Sequence, residues 1–74
     1  MRKRSITLKG HRTSIALEPE FWTALEQLAA ADEKSLARVI SKIDRERLKQ
    51  EPPPGLASAL RVHVLKTLSR QAET

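Results

Sequence analysis

The stretch GHRTSIALEPEFW, residues 10–22, joins two patterns of different period. Thr13, Ile15 and Leu17 alternate with Arg12, Ser14 and Ala16, the period-two signature of a strand with one buried face. After Glu18-Pro19-Glu20 the alternation stops, and Phe21, Leu25, Leu28 and Ala29 recur at helical spacing. Proline is favoured at the first helical position, and acidic side chains there complement the positive end of the helix dipole. A helix is therefore expected through about Ala31. The same electrostatics accounts for Glu18 and Glu20 more economically than an acid–base pair would. Phe21 is expected in the core. Trp22 falls on the neighbouring face, at a dimer seam or partly exposed.

Working outward, Ser5-Ile6-Thr7-Leu8 also alternates and reads as a possible extra strand. Lys9-Gly10-His11 is either a hairpin turn or a bend in one extended arm. On the other side, Asp32-Glu33-Lys34 interrupts the helical pattern and Ser35 is suited to cap a second helix. The apolar face of that helix is Leu36, Val39, Ile40 and Ile43. Asp44, Arg45, Glu46, Arg47 and Lys49 read as its solvated face. Three consecutive prolines, Pro52 to Pro54, cannot continue a helical hydrogen-bond ladder. A third helix is expected from Leu56 to about Ser69, with a broad apolar stripe of Leu56, Leu60, Val64, Leu65 and Leu68 and a frayed tail, QAET. The organisation is a basic arm with a possible strand (1–11), a strand–helix–helix core (12–50), and a proline linker with a third helix (51–74). The fold class is mainly α with a short N-terminal β segment.

Composition narrows the function. A chain of 74 residues without cysteine buries little surface and has no disulfide to compensate, so a second copy of itself is the expected remedy. His11 and His63 lack partners at metal spacing, and no metal or cofactor is expected. No apolar run approaches the roughly 18 residues of a membrane span, and the basic start lacks the apolar stretch of a signal peptide. Cytoplasmic residence without membrane attachment is the expectation. The net charge of +5 is concentrated. Arg2, Lys3, Arg4, Lys9 and Arg12 fall within the first 17 residues, which contain no acidic side chain, whereas the remainder is balanced. Such an asymmetry is an electrostatic footprint for a polyanion. There is no nucleophile–base set, glycine-rich phosphate loop or metal cluster, so no enzyme is expected. With only Phe21 and Trp22 for base stacking, single-stranded RNA is a weaker expectation than duplex DNA.

A lone strand leaves its backbone groups unpaired, and the same segment of a second subunit is a natural mate. Two copies of residues 12–17 would form a ribbon with Thr13, Ile15 and Leu17 toward the helices and Arg12, Ser14 and Ala16 outward. A two-stranded ribbon fits the major groove. Arg12 suits the two acceptors of guanine, Ser14 gives or accepts one bond, and Ala16 permits close approach. Lys34 and Ser35, at the start of the second helix, place a cation and free N–H groups where a phosphate could sit.

The basic start, the strand RTSIAL, the helix opening EPEFW and the later SLARVISKID and SALRVHVLKTL together resemble the ribbon-helix-helix family of Arc- and MetJ-type DNA-binding proteins, and within it a small bacterial subgroup. The resemblance covers nearly the whole chain. It implies an intertwined homodimer, able to associate further on double-stranded DNA, acting as a sequence-specific regulator and repressor. Carried over, it makes Arg12, Ser14 and Ala16 the base-reading positions. Lys34 and Ser35 become the phosphate clamp, beside the phosphate contacts that the charge asymmetry assigns to Arg2, Lys3, Arg4 and Lys9. Thr13, Ile15, Leu17, Phe21, Leu25, Leu36, Val39, Ile40 and Ile43 become the dimer core. Two features depart from the minimal family pattern, the SITL segment and the third helix. The alternative expectation is an antitoxin-like interaction module that binds a protein partner through residues 56–69.

Overall fold

The computed structural model describes residues 1–72. The element order is β1 (Arg2–Leu8), β2 (His11–Leu17), α1 (Pro19–Ala31), α2 (Leu36–Arg47) and α3 (Leu56–Ala72). The two strands form an antiparallel hairpin, with Arg4 opposite Ile15, Ser5 opposite Ser14 and Leu8 opposite His11. Residues 12–17 thus find their hydrogen-bonding mate in their own chain, which corrects the expected strand pairing between two subunits. The cause is local. Lys9 and Gly10 adopt φ values of 51° and 80°, both in the left-handed region that a two-residue hairpin turn of the right twist requires. Closing so short a loop costs far less entropy than recruiting another molecule.

The hairpin lies over the three helices. Its inner face contributes Leu8, Ile15 and Leu17 to a core shared with Trp22, Leu25, Ile40, Ile43, Leu60 and Val64. Five residues expected in a dimer core, Ile15, Leu17, Leu25, Ile40 and Ile43, are buried within one subunit. Phe21, Leu36 and Val39 pack against them while remaining partly exposed, and Thr13 is half-buried.

The aromatic pair is placed the other way round from expectation. Trp22 is 1% exposed and is the largest fully buried side chain, whereas Phe21 is only partly buried. Burial of an indole requires an acceptor for its N–H, and Trp22 Nε1 donates to the Arg2 carbonyl oxygen at 2.9 Å. This bond pins α1 to β1.

α1 begins at Pro19, with Glu18 in the cap position. The Glu18 side chain does not cap the helix. It accepts two bonds from Arg61 of α3, at 2.9 and 3.3 Å. α1 ends in a Schellman motif: Lys34 N–H donates to the Ala29 carbonyl, Glu33 N–H donates to that of Ala30, and Glu33 sits at φ 55°. The chain then reverses and Ser35 caps α2, its Oγ accepting from the Arg38 N–H at 3.1 Å.

Asp44, expected in a solvated face, is 8% exposed. Arg47 Nε donates to its carboxylate at 2.7 Å, and Arg47 also donates to the Pro54 carbonyl at 3.1 Å. A buried charge demands such pairing, and here the pairing fastens the proline linker to α2. α3 runs beyond the expected Ser69 to Ala72, so Gln71 and Ala72 of the QAET tail are helical. Glu73 and Thr74 lie outside the described residues. Leu60 and Val64 bury into the core, while Leu65 and Leu68 are 64% and 50% exposed.

α3 is therefore part of the folding unit. Leu60→Ala should destabilise the protein by about 2–5 kcal/mol in denaturant unfolding, whereas Leu65→Ala should stay within about 0.5 kcal/mol. Comparable losses for both would mean that α3 is held by its outer face. The Arg61 hydrogen bonds hold the Glu18 carboxyl below its ordinary pKa, so its contribution is complete above that ordinary value and is lost as pH falls through the folded value. The stability gap between wild type and Arg61→Met should narrow as pH is lowered from about 6 to about 3, read by urea unfolding.

Candidate nucleic-acid interface

Strand parity sorts the hairpin residues. The cross-strand pairs Lys3–Ala16, Ser5–Ser14 and Thr7–Arg12 share the outer face. Arg2, Arg4, Ile6 and Leu8 share the inner face with His11, Thr13, Ile15 and Leu17. Arg12 and Ser14 are exposed, as are Lys3, Ser5 and Thr7, and Ala16 is half-buried. The three positions read as outward from the sequence are thus brought together on one face. They are joined by Lys3, Ser5 and Thr7 from β1. Sequence reasoning placed Lys3 among phosphate contacts and left Ser5 and Thr7 without a role. The alternation of the SITL segment carries the signal for both.

Arg12 Nε donates to Ser5 Oγ at 3.2 Å, a diagonal cross-strand bond. It restrains the guanidinium while its two terminal nitrogens make no hydrogen bond among the described residues. A restrained guanidinium with two parallel donors free matches the O6 and N7 acceptors of guanine. The two serines and the threonine of this face are short groups that both donate and accept. Their length keeps the strand backbone close to whatever surface the ribbon meets.

The basic arm is not uniform in what it offers. The Arg4 guanidinium stacks over the Trp22 ring, 4.8 Å from its centroid, and pairs with Glu26 of α1. Its charge is spent on the junction between hairpin and helix, and the structure does not bring it to the outer face. Arg2, Lys3 and Lys9 are exposed and have no ion-pair partner among the described residues. At the start of α2, Lys34 and Ser35 are likewise exposed. Ser35 Oγ is occupied by its capping bond to the Arg38 N–H, so an anion there would meet the remaining N–H groups of the first turn and the Lys34 ammonium.

No metal-binding group of three or more suitable side chains occurs among the described residues, and none of the helices described is long and apolar enough to cross a membrane.

Comparison with known proteins bears on this arrangement. Residues 1–68 match the family described as ribbon-helix-helix domain. A solved structure, that of an uncharacterized protein from Bordetella pertussis Tohama I, is similar over 97% of this chain, with 35% sequence identity and a TM-score of 0.81. The chain spans 58% of the length of that protein. Among curated proteins, none matches significantly. The family match takes in both strands and all but the last turn of α3, so the chain belongs to the ribbon-helix-helix family, whose members are generally DNA-binding regulators.

Proposed function

We propose that this protein is a sequence-specific DNA-binding transcriptional regulator that represses by occupying its sites as a homodimer in the cytoplasm. The observation that carries this reading is the outer face of the hairpin. Two strands about 4.8 Å apart, bearing Lys3, Ser5, Thr7, Arg12, Ser14 and Ala16, are of a width that the roughly 12 Å major groove admits. Arg12 reads a guanine, Ser14 an adjacent base edge, and Ala16 lets the backbone descend. Arg2, Lys3, Lys9 and the Lys34–Ser35 helix start contact the flanking phosphates. Arg4 is left out because its charge is engaged by Glu26 and Trp22.

In a homodimer each subunit brings a complete ribbon, so the dimer reads two half-sites with one hairpin each. Both outer edges of the two-stranded sheet are free of strand partners among the described residues, and Leu65 and Leu68 of α3 are exposed. These are the surfaces available to a second copy. The same exposed leucines favour a second reading, in which α3 holds a different protein. Sedimentation of the purified chain separates the two, since a monomer across micromolar concentrations sinks the homodimer.

Arg12→Ala should cost roughly 1–3 kcal/mol on the selected site and relax preference at one base per half-site. Selection of duplexes from a random pool, with the variant in parallel, measures both. Equal losses on selected and random DNA would remove Arg12 from base reading. Lys3→Ala or Lys34→Ala should weaken all duplexes alike and lower the salt slope of binding by about 0.9 for each phosphate no longer neutralised. An unchanged slope would take that residue out of the phosphate interface.

A further inference from the structure

A concave groove of about 620 Å³ lies between α2 and α3, away from the residues of the hairpin. Its apolar lining comes from Val39 and the buried Ile43 of α2 with Ala59 and the exposed Val62 of α3. Its rim is cationic. Lys34, Arg38, Lys42 and Arg45 line it from the α2 side and Lys66 from α3, against the carboxylates of Asp32 and Glu46. None of those five cationic side chains makes a hydrogen bond or ion pair among the described residues. Arg47, also at the groove, is by contrast neutralised by Asp44.

We infer that this groove is a binding site for a small amphipathic anion, a carboxylate or phosphate carried on a flat or chain-like apolar body. The volume lies within the roughly 300–1,000 Å³ range of small-molecule sites. Apolar side chains and unpaired cations lining one groove call for a ligand with both characters at once. A nucleic-acid backbone would satisfy the rim and leave Val39, Ile43 and Val62 facing sugar and water. A second copy docked through the same groove would set Arg38, Lys42 and Lys66 against their own like charges, at a cost in affinity. His63 also lines the groove. Its pKa is lowered by burial and by the cations Arg70 and Lys42, in keeping with a site of positive potential. The inference is independent of the DNA-binding reading, because the two faces share only Lys34.

The test uses the full chain and naphthyl phosphate as probe, with naphthol and inorganic phosphate as its two separate halves, followed by two-dimensional amide NMR. Saturable shifts along residues 38–43 and 59–66 are expected. Each half alone should bind at least about tenfold more weakly, and Lys42→Glu and Lys66→Glu should each weaken the probe by about tenfold. Both side chains line the groove from the surface, and unchanged amide dispersion elsewhere verifies the fold of each variant. Shifts confined to the hairpin, absence of saturation, or indifference to both variants would overturn the inference. So would a change of sedimentation in either variant, which would make the groove a contact between copies. An acidic helical peptide that binds the groove more tightly than the probe would assign it to a protein partner instead. A loss of duplex binding in Lys42→Glu as large as in Arg12→Ala, with probe binding intact, would make it a second DNA surface.

Discussion

Everything in this fold depends on the two-residue turn at Lys9-Gly10, where both residues take positive φ. That turn closes β1 onto β2 in a fixed register, and the register decides which side chains look toward the helices. A slip of β1 by one residue would exchange its faces, exposing Ile6 and Leu8 and turning Lys3, Ser5 and Thr7 toward the helices. The slip is resisted from below. The buried indole N–H of Trp22 is satisfied by the Arg2 carbonyl, and the Arg4 guanidinium rests on the same ring. Moving β1 by one residue would break both contacts. The turn sets the register and the tryptophan holds it.

A hairpin completed within one chain changes what the rest of the molecule must supply. Two strands and two short helices would leave the inner face only partly covered. α3 fills the gap. Leu60 and Val64 enter the core, and Arg61 ties α3 to Glu18 at the β2–α1 junction. Asp44, Arg47 and the Pro54 carbonyl secure the linker that returns the chain to that position. The two features that depart from the minimal family pattern, the extra strand and the third helix, are thus one device. β1 pairs with β2, and α3 adds Leu60 and Val64 to the core beneath them.

The order of elements was legible because each boundary carries its own chemistry: Pro19 at a helix start, Ser35 at a cap, and prolines after α2. The outer face of β2 was legible for the same reason, since alternation alone places Arg12, Ser14 and Ala16 together. What the sequence left ambiguous was partnership. Lys9-Gly10 is compatible with a turn or a bend, because lysine seldom adopts positive φ and only the closed hairpin shows that it does. Phe21 and Trp22 were read the wrong way round, since adjacent helical positions differ by about 100° and the core lies between them, nearer Trp22. Asp44 resembled any other charge in a charged run. Its burial goes with the Arg47 guanidinium, which bridges it to the Pro54 carbonyl of the linker, and no local pattern encodes that.

The basic arm illustrates why composition alone does not locate an interface. Four cations precede Gly10, and charge counting treats them as equivalent. Pleating does not. Lys3 is sent outward, opposite Ala16, while Arg4 is sent inward, opposite Ile15. There Arg4 meets Glu26 and an indole face. An arginine is well suited to that inner position, because its planar guanidinium stacks on an aromatic ring and is less strongly hydrated than an ammonium. The compact lysine charge is better left in water or near a phosphate. Residue type and parity therefore agree at both positions. The excess of positive charge splits into a part that holds the ribbon on its helices and a part that remains to meet an anion.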